Sequence, residues 1–266
     1  MSSFDAGTAP WLARLGNLRN AVRQEMVARQ LAFHLPAPPA RVLDVGCGQG
    51  TQALALASLG HHVTGLDSST RMLEAFAQAR EAAPEPVRAR LDGVPGDVLT
   101  LPAALGEERA ASYDVVCCHG VLMYLPEPGP ALRSLAWACA PGGLVSVLAR
   151  NGEALAMRPG LRGQWRRVLD ALAEQDRPAP GYVNELGVPA RADTVAGLQT
   201  GMSEVGLEPV GWYGVRIFSD GVDVETPLPD DPGEVTAMLD AEDAAGRRDP
   251  YRRVATLIHV LGRRPL

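Results

Sequence analysis

Residues 41–73 read RVLDVGCGQGTQALALASLGHHVTGLDSSTRML, and this stretch decides the fold. Residues 41–46 are a Val/Leu-rich run of strand length that ends directly in glycines. Gly46, Gly48 and Gly50 follow a G-x-G-x-G spacing around Cys47, with Asp44 on the strand just before them. Lacking a Cβ, such positions take positive φ and let the backbone approach a ligand closely. An Ala- and Leu-rich helical segment follows, then a second strand over 62–67 that ends in Asp67. The spacing is neither the G-x-G-x-x-G of dinucleotide folds nor a phosphate loop ending in G-K-[ST].

Working outward, short Val/Leu-rich runs at 87–91, 113–119 and 143–150 alternate with Ala-rich helical segments. That alternation is the pattern of right-handed βαβ units in a parallel sheet. Ahead of the core, residues 11–35 carry apolar groups at helical spacing until Pro36, Pro38 and Pro39 stop the helix. The strand signal disappears between 151 and 201, where Arg, Pro and Gly punctuate helical stretches such as 161–175. It returns as helix 193–205, strand 208–218, helix 233–246 and strand 254–263. The expected architecture is α/β: a single domain over 1–266 with a seven-stranded, mostly parallel sheet. Within it, 1–40 form an N-terminal helical cap, 41–150 a cofactor-binding core, 151–201 a lid insertion and 202–266 the strands that complete the sheet.

The chain has 266 residues and a net charge of -6, enough length for a substantial core and the wrong sign for gripping nucleic acid by bulk electrostatics. All 25 basic residues are arginine. Cys47, Cys117, Cys118 and Cys139 show no C-x-x-C spacing, so neither a metal site nor a disulfide framework is expected. No uncharged run reaches membrane-spanning length and no signal peptide is recognisable, so a cytoplasmic location without membrane association is expected. Nothing in the sequence fixes the oligomeric state.

Asp67 stands about twenty residues beyond the glycine loop, where an acid can accept hydrogen bonds from both ribose hydroxyls of a nucleoside. Its other reading, with Ser68-Ser69 following, is a helix N-cap. After the third strand, Asp97 can receive an adenine amino group while the Val98 amide donates to a ring nitrogen. Taken together and in order, with Pro141-Gly142-Gly143 before the fifth strand, these features resemble the Rossmann-like class I S-adenosyl-L-methionine (SAM)-dependent methyltransferases over about 41–150. The resemblance implies SAM as cofactor, held by Asp44, Gly46, Cys47, Gly48, Gly50, Asp67, Ser68, Met72, Asp97, Val98 and His119.

Later segments resemble, within that class, the bacterial tRNA 5-carboxymethoxyuridine methyltransferases, which esterify a wobble-uridine carboxylate. They are Leu15-Gly16 with Val22-Arg23-Gln24, His119-Gly120-Val121-Leu122, Asn151, Gly214-Val215-Arg216-Ile217-Phe218, Asp249-Pro250-Tyr251 and Ile258-His259-Val260. The resemblance implies that Arg23 reaches the SAM carboxylate; from spacing alone Arg23 reads equally as part of a solvated helix face. Arg216, a charge in an apolar strand, is expected to meet an anionic substrate, with an intramolecular ion pair as its alternative. Tyr124, Asn151 and Tyr251 complete the expected substrate set. His119 and Tyr124 follow the fourth strand at the carboxyl edge of the sheet and are positioning candidates; His119 reads as a base for a hydroxyl acceptor or, more simply, as a hydrogen-bonding cap. Arg158, Arg162, Arg166 and Arg167 read as phosphate contacts or as solvated surface.

A carboxylate, with a pKa of about 4, is already ionised at neutral pH, so methyl transfer to it requires alignment and no general base. At 184–191 the chain reads NELGVPAR, where the tRNA enzymes carry a lysine run. The acceptor is therefore tRNA or a small carboxylic acid. A small-molecule O-methyltransferase and a SAM-binding protein without catalysis are the rival readings.

Overall fold

The computed structural model describes residues 17–175, 180–184, 187–223 and 225–266. The strands are β1 (Arg41–Val45), β2 (His62–Asp67), β3 (Leu91–Pro95), β4 (Tyr113–His119), β5 (Cys139–Arg150), β6 (Gly181–Val183), β7 (Pro189–Arg191), β8 (Glu208–Val215) and β9 (Leu257–Arg263). Seven of them form one sheet in the order β3-β2-β1-β4-β5-β9-β8, and β6 and β7 form a separate hairpin. β1 to β5 run parallel, and β9 is antiparallel to both β5 and β8. The order reverses beside β1, so β1 and β4 flank the crevice in which open α/β sheets bind ligands.

Helices cover both faces because β1, β4 and β5 are apolar on both sides. On one face α4 (Gly129–Ala138) and α7 (Val195–Glu204) bury Leu132, Leu135, Leu198 and Met202 against Leu43, Val116, Val147 and Val260. On the other, α2 (Thr51–Ser58) and α3 (Thr70–Ala82) bury Leu56 and Phe76 against Val42, Val63 and Val115. α1 (Leu18–Ala32) packs Val22 and Met26 on Leu148, Val215 and Leu257. It starts at Asn17, whose Oδ1 accepts from Asn20 N at 2.9 Å. α8 (Pro232–Gly246) lies beside it, joined by the Arg29–Asp240 ion pair. Residues 11–16 of the expected cap helix, and with them Leu15-Gly16, lie outside the described residues.

The fifth strand begins at Cys139, not 143, so Pro141-Gly142-Gly143 lies within it and not before it. Four further expected boundaries move, each for a local reason. The third strand runs over 91–95, not 87–91, because Glu85–Arg88 form a helical turn with Pro86 in its first turn. The sixth sheet strand stops at Val215 because Arg216 adopts φ +62°, incompatible with the ladder. Arg216 thus follows the strand and does not lie within it. The last strand begins at Leu257, since Tyr251–Val254 form a 3-10 turn. The segment between β5 and the sheet-packing helix α7 ends at Thr194, not 201, because Leu198 and Met202 are core residues. That segment holds α5 (Met157–Leu161), α6 (Trp165–Gln175) and the hairpin. Among the described residues no helix is long and apolar enough to cross a membrane.

Candidate active site

A cavity of about 790 Å³ opens along the carboxyl edge of β1, β2, β4 and β5 and is bordered by α1 and by Tyr182, Val183 and Asn184 at β6. That volume is within the range of cofactor and small-molecule sites. Its outer half is the glycine loop. Gly46 and Gly50 take φ +74° and +86°, and a Cβ on them would stand 2.2 Å from Val121 Cγ2 and 2.1 Å from Phe76 Cδ2. The close approach therefore has two causes: a left-handed backbone and a loop wedged against its neighbours.

Asp67, at the end of β2, fastens that loop: Oδ2 accepts from Gly48 N at 2.9 Å and Oδ1 from Ser69 N at 2.8 Å. Asp67 also lines the cavity beside the glycine loop. The N-cap of α3 is Ser69, not Asp67. Asp44 turns its buried Oδ1 to Gln52 Nε2 at 3.1 Å, while its Oδ2 has no hydrogen-bond partner. Burial, then the neighbouring Asp67, pushes its pKa up to about 7 against the opposing pull of Arg23. An orphaned buried carboxylate oxygen beside a glycine cradle suits a cationic ligand group such as an amino-acid ammonium. Ser68, Met72, Asp97 and Val98 line the same half, with Asp97 Oδ1 holding Leu99 N at 2.8 Å. Cys47 lines it too, but its Sγ packs against Gly65 and burial raises its thiol, so its contribution is backbone.

Arg23 comes down from α1 onto the cavity wall beside Gly120. Desolvation, then the nearby Arg216, lowers its pKa to about 10, which leaves it charged at neutral pH. His119 has both ring nitrogens engaged: Nδ1 with Gln52 Oε1 at 2.5 Å and Nε2 with Ser146 Oγ at 2.8 Å. The chain of contacts continues through Ser146 Oγ to His259 Nε2 at 2.7 Å and from His259 Nδ1 to Gln30 Oε1 at 2.9 Å. Burial, then His259 and Arg23, hold His119 well below its ordinary pKa. A neutral imidazole with both nitrogens occupied is a poor base, so the capping reading prevails.

The inner half is rich in arginine. Asp220 accepts from Arg158 at 2.7 Å to each of its oxygens and from Arg216 Nη2 at 2.6 Å. Burial alone would raise its pKa, but Arg216 and then Arg158 hold it far below the carboxylate range. The loop that carries Arg216 and Asp220 is itself pinned by the buried carboxylate of Glu242, which accepts from the backbone amides of Ile217, Phe218 and Ser219 at 2.7–3.0 Å. Arg216 thus meets an internal acid, its alternative reading, while still lining the cavity. Tyr124 lines it as well, its hydroxyl accepting from Asn184 Nδ2 at 3.1 Å.

Two expected substrate residues are not brought in. Asn151 is buried and spends its side chain on structure, with Nδ2 donating to Arg253 O and Ala255 O and Oδ1 accepting from Glu153 N. Tyr251 is exposed outside the cavity, its ring 6.2 Å from that of Phe218. Among the lid arginines, Arg166 and Arg167 are surface residues while Arg158 is half-buried and paired with Asp220. Sequence reasoning missed Gln52, Arg150, Tyr182, Asn184, Asp220 and Glu242. Arg150 had a signal: a charge ending the apolar run LVSVLAR at the carboxyl edge of the sheet.

Comparison with known proteins agrees with this geometry. Residues 43–147 match the family model described as a methyltransferase domain. Over 255 residues the chain is 28% identical to the tRNA 5-carboxymethoxyuridine methyltransferase of Escherichia coli strain K12, covering 94% of this chain and 89% of that one. It is 38% identical over 125 residues to the ubiquinone biosynthesis O-methyltransferase of Paracidovorax citrulli, covering 46% of this chain and 49% of that one. A crystal structure of an S-adenosylmethionine-dependent methyltransferase from Mesorhizobium loti superposes with a TM-score of 0.56 at 18% identity, covering 90% of this chain and 98% of the other. With its glycine cradle and its acid at the end of β2, the chain carries a methyltransferase domain over residues 43–147 and has the Rossmann-like fold of the class I SAM-dependent methyltransferases.

Proposed function

We propose that this methyltransferase esterifies a carboxylate, with the wobble 5-carboxymethoxyuridine of tRNA as its acceptor, and works in the cytoplasm. The observation that carries the reading is the near-full-length similarity to the E. coli enzyme, which extends beyond the methyltransferase domain on both sides, into α1 and β8. The arginine-rich inner half of the cavity supports it, since an anionic acceptor suits a wall of guanidinium groups.

When bound, SAM supplies an activated methyl group on a sulfonium. The chain's own residues position the partners: Asp67 for the ribose, Asp97 and the Val98 amide for the adenine, and Asp44 and Arg23 for the amino-acid end. The acceptor enters between Tyr124, Tyr182 and the arginines, beside α1. Alignment of the two reacting groups is worth up to roughly 7–11 kcal/mol in favourable cases, and an ionised carboxylate needs no proton removed. The occupied ring of His119 fits a reaction without a general base.

A second reading, O-methylation of a small carboxylic acid, is favoured by the net charge of -6 and by the NELGVPAR segment without lysine. Incubating the protein and SAM with tRNA bearing 5-carboxymethoxyuridine, followed by mass spectrometry of the nucleosides, separates the two. The methyl ester is expected; its absence, with SAM bound, overturns the tRNA assignment.

A further inference from the structure

Arg150 ends β5 and differs from its two neighbours in charge pairing. Arg158 and Arg216 share Asp220, whereas Arg150 has no acid within ion-pair distance among the described residues. Its Nη1 reaches Thr256 O at 3.3 Å, its Cζ lies 5.4 Å from the centroid of the Tyr182 ring, and its Nε is buried without a hydrogen-bond partner. The residue is 6% exposed and lines the inner half of the cavity. A guanidinium so placed is costly unless an anion meets it.

The sheet register explains the placement. Arg150 pairs with Leu257 and Leu257 with Val215, so Arg150 and the residue following Val215 flank the first residue of β9 on one edge of the sheet. Thr256, just before β9, ties the two sides together: its O accepts from Arg150, and its N donates to Arg216 O at 3.1 Å. Arg158 and Arg216 thus share the Asp220 carboxylate beside Arg150, and all three guanidiniums line the same part of the cavity.

We infer that Arg150 is the receptor for the acceptor's carboxylate, with the Arg158–Asp220–Arg216 cluster as the buttress that keeps its surroundings positive. This rests on the carboxyl-methylation reading above and names the residue that selects an acid over a neutral hydroxyl acceptor. In the transfer a carboxylate oxygen forms the new O–CH3 bond while the S–CH3 bond breaks, its electron pair staying on sulfur. Sulfonium and carboxylate charges vanish together, leaving a neutral ester and a neutral thioether. Arg150 accordingly holds the acid and releases the ester.

The test is calorimetry on the full-length protein saturated with S-adenosylhomocysteine. The probes are 5-carboxymethoxyuridine against its methyl ester, and phenoxyacetate against 2-phenoxyethanol. The wild type is expected to prefer each acid, and Arg150→Gln to lose that preference by roughly tenfold to a hundredfold while keeping S-adenosylhomocysteine affinity. Arg150→Lys, which keeps the charge and loses the fork, is expected to lose part of it and decides the matter if the glutamine variant fails to fold. Acid preference unchanged in both variants overturns the role of Arg150 and leaves carboxyl methylation standing. A wild type that prefers phenoxyacetate but not the nucleoside acid supports the anion site and overturns the nucleoside reading. No acid preference with either pair overturns both.

Discussion

Asp67 Oδ2 accepts a hydrogen bond from Gly48 N at 2.9 Å, so the acid that ends β2 holds the glycine loop that ends β1. The two features that define the cofactor site in the sequence are therefore one mechanical unit. Replacing Asp67 by Ala removes both the proposed ribose acceptor and the clamp on the loop. SAM affinity is expected to fall by about 2–4 kcal/mol, thirtyfold to a thousandfold, given roughly 1.5–3 kcal/mol per hydrogen bond to a charged group. Titration calorimetry reads this directly; unchanged affinity would sink the ribose assignment.

Gly50 tests the loop from the other side. Its φ of +86° and the 2.1 Å approach of a Cβ to Phe76 Cδ2 act together in Gly50→Ala. Strain and overpacking should cost about 2–4 kcal/mol in chemical unfolding. Gly163 shares a positive φ of +66° but has nothing within 4 Å, so Gly163→Ala should cost about 1–2 kcal/mol, the backbone part alone. Equal losses at the two positions would refute the packing argument.

These contrasts mark what the sequence discloses. The strand, loop, helix and strand of 41–67 are legible because glycine and a terminal acid act locally, within one βαβ unit. The β3 boundary was misplaced because Val87 and Leu91 are both apolar and only Pro86, three-dimensionally the start of a helical turn, separates their roles. The inner half was illegible for a different reason. Arg150, Arg158, Arg216 and Asp220 meet only after β9 inserts antiparallel between β5 and β8, a pairing that no local period encodes. Glu242 was equally hidden, since a carboxylate in a polar helix looks solvated until the amides of 217–219 are seen around it.

Asn151 illustrates the opposite error, a residue expected at the substrate that is instead a joint. Its side chain ties the end of β5 to the carbonyls of Arg253 and Ala255 and to Glu153 N. Asn151→Ala leaves these buried groups without partners and should lower stability by about 2–4 kcal/mol. Retained SAM affinity in the folded variant, measured by calorimetry, is the companion expectation; a selective loss of acceptor binding at full stability would restore Asn151 to the substrate site.

The buried His259 makes stability depend on pH. Burial, then His34, lowers its pKa to about 3 from an ordinary 6.5. Between those values the unfolded chain binds a proton that the folded chain refuses, so stability is full above pH 6.5 and falls as the pH drops toward 3. One such group contributes about 1.4 kcal/mol per pH unit in that window. Asp44, raised to about 7, acts with the opposite sign between its ordinary 3.8 and 7, so the wild-type slope alone does not isolate His259. The difference between wild type and His259→Gln does: the variant's stability should be less steep in pH by about one proton between pH 6 and 4. Parallel slopes in urea titrations across that range would show that His259 is not held neutral.

Asp220 pairs with both Arg158 and Arg216, and its removal should expose the positive charge that it balances. Asp220→Asn keeps the size of the side chain and one acceptor oxygen but removes the carboxylate charge that Arg158 and Arg216 share. Breaking a buried pair in this way typically costs about 3–5 kcal/mol, because the orphaned charges stay desolvated. If the loss is electrostatic, an added anion should restore part of it by occupying the cavity. Sulfate in the tens of millimolar range is therefore expected to raise the melting temperature of Asp220→Asn more than that of the wild type, with chloride at equal ionic strength as the control. Equal shifts in the two proteins would assign the loss to packing and remove the argument that Asp220 balances the arginines.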